Sequence, residues 1–238
     1  MSIQNIIAQA TQHGQLHMNS LDKIAKNVAN YRTMGYKAER FDLVLQAGDK
    51  LEGVTRRDTT PGIATMTQNE FDVAIEPAGM YFMVTTPTGQ TAYTRDGQFK
   101  RNQEGYLITN NGDLVAPGIK IPPNFGRVLI YPNGEVKIQP KKEGPKERVG
   151  QLAIVGFNNP DQLEPIGGNK LVPTAGSGDP FKVASTEVRL AQGKVESSNV
   201  DLFEQIDNVM KMNAGVLSNF RVIKFSDDIF RQAVNLRQ

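Results

Sequence analysis

Near the N-terminus Ile3, Ile7, Ala10, Gly14, His17, Leu21, Ile24 and Val28 recur at alternating spacings of four and three, which keeps one stripe of a helix turned toward a partner. At the C-terminus Ile206, Val209, Asn213, Val216, Phe220, Ile223, Asp227, Phe230 and Val234 repeat the pattern. Gly14, His17, Asn213 and Asp227 interrupt the two stripes, and polar residues in such a stripe fix register more than they add stability. The C-terminal segment also carries a second apolar row, Val222, Phe225, Ile229, Ala233 and Leu236. That row is offset by two residues and so lies about 200° around the helix. One helix therefore needs neighbours on two sides, while the sequence offers only one other long helix. Further copies of the chain would supply the rest.

The pattern predicts a first helix from a Ser2 cap to about Ala29, roughly 40 Å long, and a second from a cap near Ser198-Asn199 to about Leu236, roughly 55 Å. Asp201 and Glu204 complement the dipole of its first turn. Gly215 falls mid-helix and costs about 1 kcal/mol relative to alanine, which a closely approaching neighbour would offset. After the first helix, Asn27 to Asn30 and Gly35 suit a helix stop followed by a turn with positive φ.

The middle of the chain changes period. From Arg40 to Asn69 glycine and proline break any long element, which predicts an extended connector with short strands. Phe71 to Ile75 and Tyr81 to Thr85 are aromatic and β-branched runs around a turn at Pro77 to Gly79. Asp96-Gly97, Glu104-Gly105, Asn111-Gly112, Pro117-Gly118 and Asn133-Gly134 then leave room only for short strands, predicting antiparallel β-structure of barrel or sandwich type. Gln151 to Phe157 reads as a strand, Pro165 to Pro180 as a loop, and Val183 to Leu190 and Gly193 to Glu196 return toward the second helix. The expected fold class is α+β: N- and C-terminal helices, discontinuous in sequence, form a coiled-coil-like domain beside a central antiparallel β-rich domain. The expected segments are 1–36 (helix), 37–70 (connector), 71–174 (β domain), 175–196 (return connector) and 197–238 (helix).

Composition narrows the functional classes. A formal charge of +2 over 238 residues gives no electrostatic reason to expect nucleic acid or a membrane surface as partner. With no cysteine in the chain, disulfides and thiolate chemistry are excluded. No stretch approaches the roughly 20 apolar residues that span a bilayer, so membrane insertion is not expected. Met1 to Ala10 lacks a basic n-region, and glutamine, asparagine and histidine interrupt any apolar core. Passage out of the cytoplasm would proceed without a cleaved signal peptide.

Candidate chemistry is sparse. His13 and His17 stand four apart on the first helix, but no third histidine or glutamate motif follows them. Thr94 to Gly97 and Asn110 to Asp113 resemble half of a calcium loop without its closing glutamate, and read as hairpin turns. Gly167-Gly168 lacks the strand-to-helix setting that phosphate binding requires. No catalytic residue, cofactor or metal is expected. The alternative class, a ligand-binding module that uses its helices only to oligomerise, requires a concave polar pocket with convergent titratable groups in residues 71–174.

Three signatures resemble those of the bacterial flagellar axial proteins, specifically the rod and hook group. The first is Asn27-Val28-Ala29-Asn30 with Thr33-Met34-Gly35 and Tyr36-Lys37. The second is Phe71 to Ile75 with Gly79 to Phe82 and Tyr93-Thr94-Arg95-Asp96-Gly97-Gln98-Phe99, and the third is Glu196-Ser197-Ser198-Asn199-Val200-Asp201. Asn27, Ala29, Asn30, Gly35, Asp72, Arg95, Asp96, Gly97, Ser198, Asn199 and Val200 carry the match, while Lys26, Tyr31 and Pro77-Ala78 depart from the family pattern. The resemblance implies a non-enzymatic subunit of the basal-body rod, with paired terminal helices in an inner tube and the β domain outside. It also implies self-association, contact with other rod and hook subunits, and export through the flagellar type III apparatus. The short stretch between Gly35 and Asp72 points to the proximal rod, with the distal rod or a junction adaptor as alternatives. Ile7, Ala10, Leu21, Ile24, Val28, Ile206, Val209, Val216, Phe220, Ile223, Phe225, Ile229 and Phe230 are the expected assembly contacts.

Overall fold

The computed structural model describes residues 3–46, 50–139 and 144–235. Ser2 and Leu236 lie outside them, as do the side chains of Ile7, Phe230 and Ala233. The chain forms two helices and a β-rich body, an α+β fold in which the strand pairs are antiparallel. It divides into two compact units: Met1–Ala29, Glu39–Arg56 and Asp201–Gln238 make the first, and Asn30–Ala38 with Arg57–Val200 the second.

The first unit contains α1 (Ile3–Ala29), the hairpin of β1 (Glu39–Gln46) and β2 (Lys50–Arg57, of which Arg57 counts with the second unit), and α2 (Leu202–Asn235). Asn27 Nδ2 donates to Gln205 Oε1 at 3.0 Å, and the His17 ring lies 2.9 Å from where a Cβ on Gly215 would stand. The two α1 residues are separated by the same interval as their two partners on α2, in the opposite sense, so the helices run antiparallel. Gly215 thus admits a ring that a side chain would exclude, the close approach that offsets its helix-weakening effect. The hairpin is tied to α1 by Gln12 Nε2 donating to the Leu51 carbonyl at 2.9 Å and by the Lys23–Glu39 ion pair at 3.0 Å. Within the hairpin, the Phe41 ring covers Gly53, where a Cβ would sit 2.1 Å from Cζ.

α2 starts later than the sequence suggests. Asp201 is the cap, its Oδ1 accepting from the Phe203 amide at 2.8 Å. Asn199 is committed elsewhere: its Oδ1 accepts from the Ala38 amide at 2.7 Å and its Nδ2 donates to the Asp58 carbonyl at 2.9 Å. A side chain holding two other strands of backbone cannot also cap a helix.

In the second unit the largest sheet runs β14 (Glu164–Gly167), β15 (Lys170–Val172), β6 (Thr91–Thr94), β5 (Met80–Thr85), β9 (Leu114–Val115), β8 (Leu107–Thr109), β7 (Phe99–Arg101). One edge of β5 is shared: β13 (Ile154–Gly156) pairs with Met80 to Phe82, and β9 with Val84 and Thr85. β16 (Phe181–Lys182) continues beyond β13. Beside this sheet stand a meander of β10 (Arg127–Ile130), β11 (Glu135–Gln139) and β12 (Glu147–Gln151), and two ribbons pairing β17 (Leu190–Gln192) with β4 (Val73–Ile75) and β18 (Lys194–Glu196) with β3 (Ala64–Met66).

Strand alternation distributes the apolar residues between two cores. Phe82, Ile154, Phe99, Leu107, Val136 and Ile138 join one cluster, whereas Tyr81, Val155, Tyr93, Phe157 and Leu171 join another. β5 and β13 are therefore buried on both faces, which is why their sequences read as unbroken apolar runs.

A further sequence expectation needs correction. Pro165 to Pro180 is not all loop, because β14 and β15 form a hairpin in which Leu171 pairs with Tyr93. Its turn takes φ values of 88°, 59° and 56° at Gly167, Gly168 and Asn169, and that turn chemistry hides two short strands. Val183 to Leu190 returns the chain to β17 through a turn. Glu187 and Val188 both donate to the Ala184 carbonyl, and Val183 and Val188 are buried as separate anchors on a turn.

Gly97 packs so tightly that a Cβ would stand 1.7 Å from the Val73 carbonyl oxygen. Gly97→Ala must displace β4, and we expect it to lower unfolding stability by about 3 kcal/mol, read as a shift in the urea midpoint.

Candidate functional site

Residues from all three sequence signatures, Gly35 and Lys37 of the first, Arg95 of the second and Glu196 of the third, meet inside the second unit around one buried carboxylate, that of Glu196 at the end of β18. Its Oε1 accepts from Lys37 Nζ and, at 2.9 Å, from the Gly62 amide, and its Oε2 accepts from Arg95 Nε at 2.6 Å. Lys37 also donates to the Thr60 carbonyl at 2.6 Å. The Arg95 guanidinium also donates to the carbonyls of Pro77, Met80 and Ile75 at 2.7–2.9 Å. Glu196, Lys37 and Arg95 are each no more than 4% exposed. Burial pulls the Lys37 ammonium below its ordinary pKa, opposed by the Glu196 charge and reinforced by the Arg95 charge.

The backbone around this carboxylate is shaped to match. Gly35, at φ 68°, donates its amide to the Glu196 carbonyl at 2.7 Å. A Cβ on Gly35 would lie 2.6 Å from the Arg95 carbonyl carbon and the Asp96 nitrogen, so only glycine allows the Asn30 to Ala38 turn to close on that segment. Asn199, from the third signature, stitches Ala38 to Asp58, and Ser198 Oγ accepts from the Val200 amide at 3.3 Å. Asp72 is buried and accepts from Asn69 Nδ2 at 2.8 Å. With both cations buried and bonded to the carboxylate and to chain carbonyls, the arrangement is a structural clamp. Periodicity and motif spacing gave no sign of the Lys37–Glu196 pairing.

Asp96 borders a polar depression of about 390 Å³ lined by Asn30, Arg32, Gln98, Asn110, Asn111 and Asn169, among others. Most of these amides are engaged: Asn169 Nδ2 donates to the Met34 carbonyl at 2.7 Å, Asn111 Nδ2 to the Gly168 carbonyl at 2.9 Å, and Asn110 Nδ2 to Gln98 Oε1 at 3.2 Å. Burial raises the Asp96 carboxyl to about 6; the Gln98 amide, which donates to Oδ1, opposes this and the Asp72 charge adds to it. Among the described residues no group of three or more histidines and carboxylates is placed to hold a metal.

The first unit places the expected assembly residues on two helices. On α1, Ile24 is buried, Ala10 is half-buried, and Leu21, Val28 and Ala29 are exposed. On α2 the inward stripe is Gln205, Val209, Met212, Val216, Asn219 and Ser226. It shares Val209 and Val216 with the stripe read from sequence, but takes Gln205, Met212, Asn219 and Ser226 in place of Ile206, Asn213, Phe220 and Asp227. The Asn27–Gln205 bond and the His17–Gly215 contact set this rotation. In consequence Gln205 and Ser226 are 5% and 8% exposed, while Phe203, Phe220 and Phe225 are 84%, 63% and 67% exposed; Ile206, Ile223 and Ile229 are exposed too.

Two outcomes test the second unit. Glu196→Ala strands two buried cations, and we expect a loss of about 3–5 kcal/mol that added salt restores little, because buried charges are weakly screened; urea titrations at low and high ionic strength measure both. For Asp96, the folded pKa near 6 lies above the unfolded value, so folding takes up a proton between them. The stability is full below about pH 4 and declines as pH rises through 6. Asp96→Asn keeps the Oδ1 acceptor without the charge, and should match the parent at pH 4 and exceed it by about 1 kcal/mol at pH 7.5, a value reduced for partial solvent exposure.

The family model described as "Flagellar hook protein FlgE/F/G D1 domain" matches residues 74–138, which span β4 to β11. Over the whole chain, the flagellar basal-body rod protein FlgG of Caulobacter vibrioides is 31% identical, covering 92% of this chain and 94% of its own. FlgG of Bacillus subtilis is 32% identical over 92% and 93%, and FlgF of Caulobacter vibrioides is 30% identical over 90% of each. A match of this extent, with the three signatures converging on one buried carboxylate, makes this chain a member of the flagellar basal-body rod protein family.

Proposed function

We propose that the chain is a structural subunit of the flagellar basal-body rod, polymerising with copies of itself and with neighbouring axial subunits into the shaft that carries torque from motor to hook. The single observation that supports this most is the orientation of α2. A helix that turns Gln205 and Ser226 inward and leaves Phe203, Phe220 and Phe225 in water is inverted for a monomer, since full burial of each such side chain contributes about 1.5–3 kcal/mol. Exposed apolar patches of this extent mark interaction surfaces. In the polymer the terminal helices would pack in coiled-coil fashion against neighbouring copies, through Ile7, Ala10, Leu21, Ile24 and Val28 and through the α2 positions from Ile206 to Phe230. The segments 1–36 and 197–238 would form the inner tube, with the β domain of 71–174 outside and 37–70 and 175–196 connecting them.

A place in the proximal rod is favoured by the short stretch between Gly35 and Asp72, which holds the β1–β2 hairpin and β3. The working location is the basal body, reached through the flagellar type III export apparatus without a cleaved signal. A structural role without catalysis accords with the closed clamp at Glu196.

The test pairs Phe225→Asp with Ile229→Asp in the source bacterium. We expect the doubly substituted chain to be absent from isolated basal bodies and the cells to lose swimming, with the urea midpoint of the second unit unchanged. Normal incorporation and motility would sink the proposal.

A further inference from the structure

The polar depression of about 390 Å³ beside Asp96 lies within the second unit, and none of Lys37, Arg95 and Glu196 lines it. Its amides are each anchored through one polar atom. Asn169 Nδ2 and Asn111 Nδ2 donate to backbone carbonyls at 2.7 and 2.9 Å. A carbonyl only accepts, so both amides are fixed in orientation and keep their Oδ1 atoms as acceptors. Asn110 and Gln98 bond to each other at 3.2 Å, and whichever of them donates, one amide oxygen and one amide nitrogen remain. Asp96 accepts from the Gln98 backbone amide through Oδ1 at 3.0 Å, which leaves Oδ2. Arg32 is exposed and lies over the Tyr31 ring, 5.1 Å from its centroid. Among the described residues these remaining atoms have no hydrogen-bond partner.

We propose that this depression binds a neutral saccharide, whose neighbouring hydroxyls donate to the Asp96 carboxylate and the amide oxygens and accept from Gln98 and Arg32. The inference goes beyond the rod reading and stands on the second unit alone. Charge selects the ligand class first. One carboxylate and one guanidinium line the site, and of the charges next to it Lys100 donates to the Asn110 carbonyl at 3.1 Å while the Asp72 charge acts on Asp96. Each positive group is matched by a negative one, so neither a cation nor an anion gains a net attraction. Hydrogen-bonding capacity selects next. Fixed acceptors outnumber donors, and a hydroxyl is the neutral group that donates to an acceptor while its own oxygen accepts from a neighbouring donor. Because the amides are already held by the chain, little ordering cost is left for the moment of binding. The volume lies near the lower end of the roughly 300–1,000 Å³ of ligand pockets, which suits a small sugar. At pH 7.5 the Asp96 carboxyl, at about 6, is ionised, and hydrogen bonds to an ionised acceptor are the stronger kind. Asp96 therefore carries the largest share.

Saturation-transfer NMR on the full chain at pH 7.5 tests this, because it reads the signals of the sugar and works on monomer and polymer alike. The probes are glucose, cellobiose and maltose, with glucosamine and glucuronate as the charged counterparts of glucose. We expect transfer to at least one neutral sugar with a dissociation constant in the millimolar range. Asp96→Asn replaces the Oδ2 acceptor with a donor and should weaken binding about tenfold, with a urea midpoint no lower than that of the parent. Gln98→Ala should weaken it about threefold. Absence of transfer to all three neutral sugars up to their solubility limit overturns the proposal. So does binding that both substitutions leave unchanged, or a charged counterpart that binds about tenfold tighter than glucose. Each of these results leaves the rod reading standing, since incorporation into basal bodies tests that reading separately.

Discussion

The second unit depends on compensating one buried negative charge. Removing the Glu196 carboxylate from water costs several kcal/mol unless its lone pairs find partners, and those partners come from distant parts of the chain: Lys37 from the turn after α1, Gly62 from the strand connection, and Arg95 from the end of β6. Arg95 in turn holds the carbonyls of the β4 to β5 turn. Because a half-satisfied network is worse than none, these segments are ordered together or not at all. Gly35 follows from the same constraint, since it admits an approach to the Arg95–Asp96 backbone that any Cβ would block.

The consequence for assembly lies in where the chain enters and leaves this unit. Ala38 and Asn199, each beside one of the four crossings between the units, are bonded to each other within the second unit. The segment that leads into β1 is therefore fixed beside the one that leads into α2, although they are about 160 residues apart. Within the first unit, Asn27 does the equivalent work: its amide joins Gln205 on α2 and the Glu39 backbone on β1. Both are buried polar contacts that specify an arrangement more than they add stability. Such contacts suit a subunit whose apolar surface is kept for partners, because specificity inside the monomer does not consume that surface.

Much of this was legible in the primary structure. Seven-residue periodicity marked both helices, Gly215 announced a close neighbour, and Asn30 to Gly35 marked the turn that follows α1. The β hairpin at Glu164 to Val172 was not legible, because three consecutive left-handed residues gave it the composition of a loop. Sequence favours Ser198 and Asn199 over Asp201 as the cap of α2, but the Asn199 hydrogen bonds are long-range and Ser198 Oγ accepts from the Val200 amide. The rotation of α2 was missed for a related reason: hydrophobicity alone turns Ile206 and Phe220 inward, and only the Asn27–Gln205 bond and the His17–Gly215 contact decide otherwise.

Periodicity, turn chemistry and the three signatures therefore determined from sequence the helices, the β-rich centre and the family, because each of these is set by residues near one another along the chain. The tertiary structure alone decided that the signatures converge on Glu196 and that the apolar rows of α2 face outward. Both rest on pairings across 100 residues or more, where the geometry that selects one partner exists only after the chain has folded.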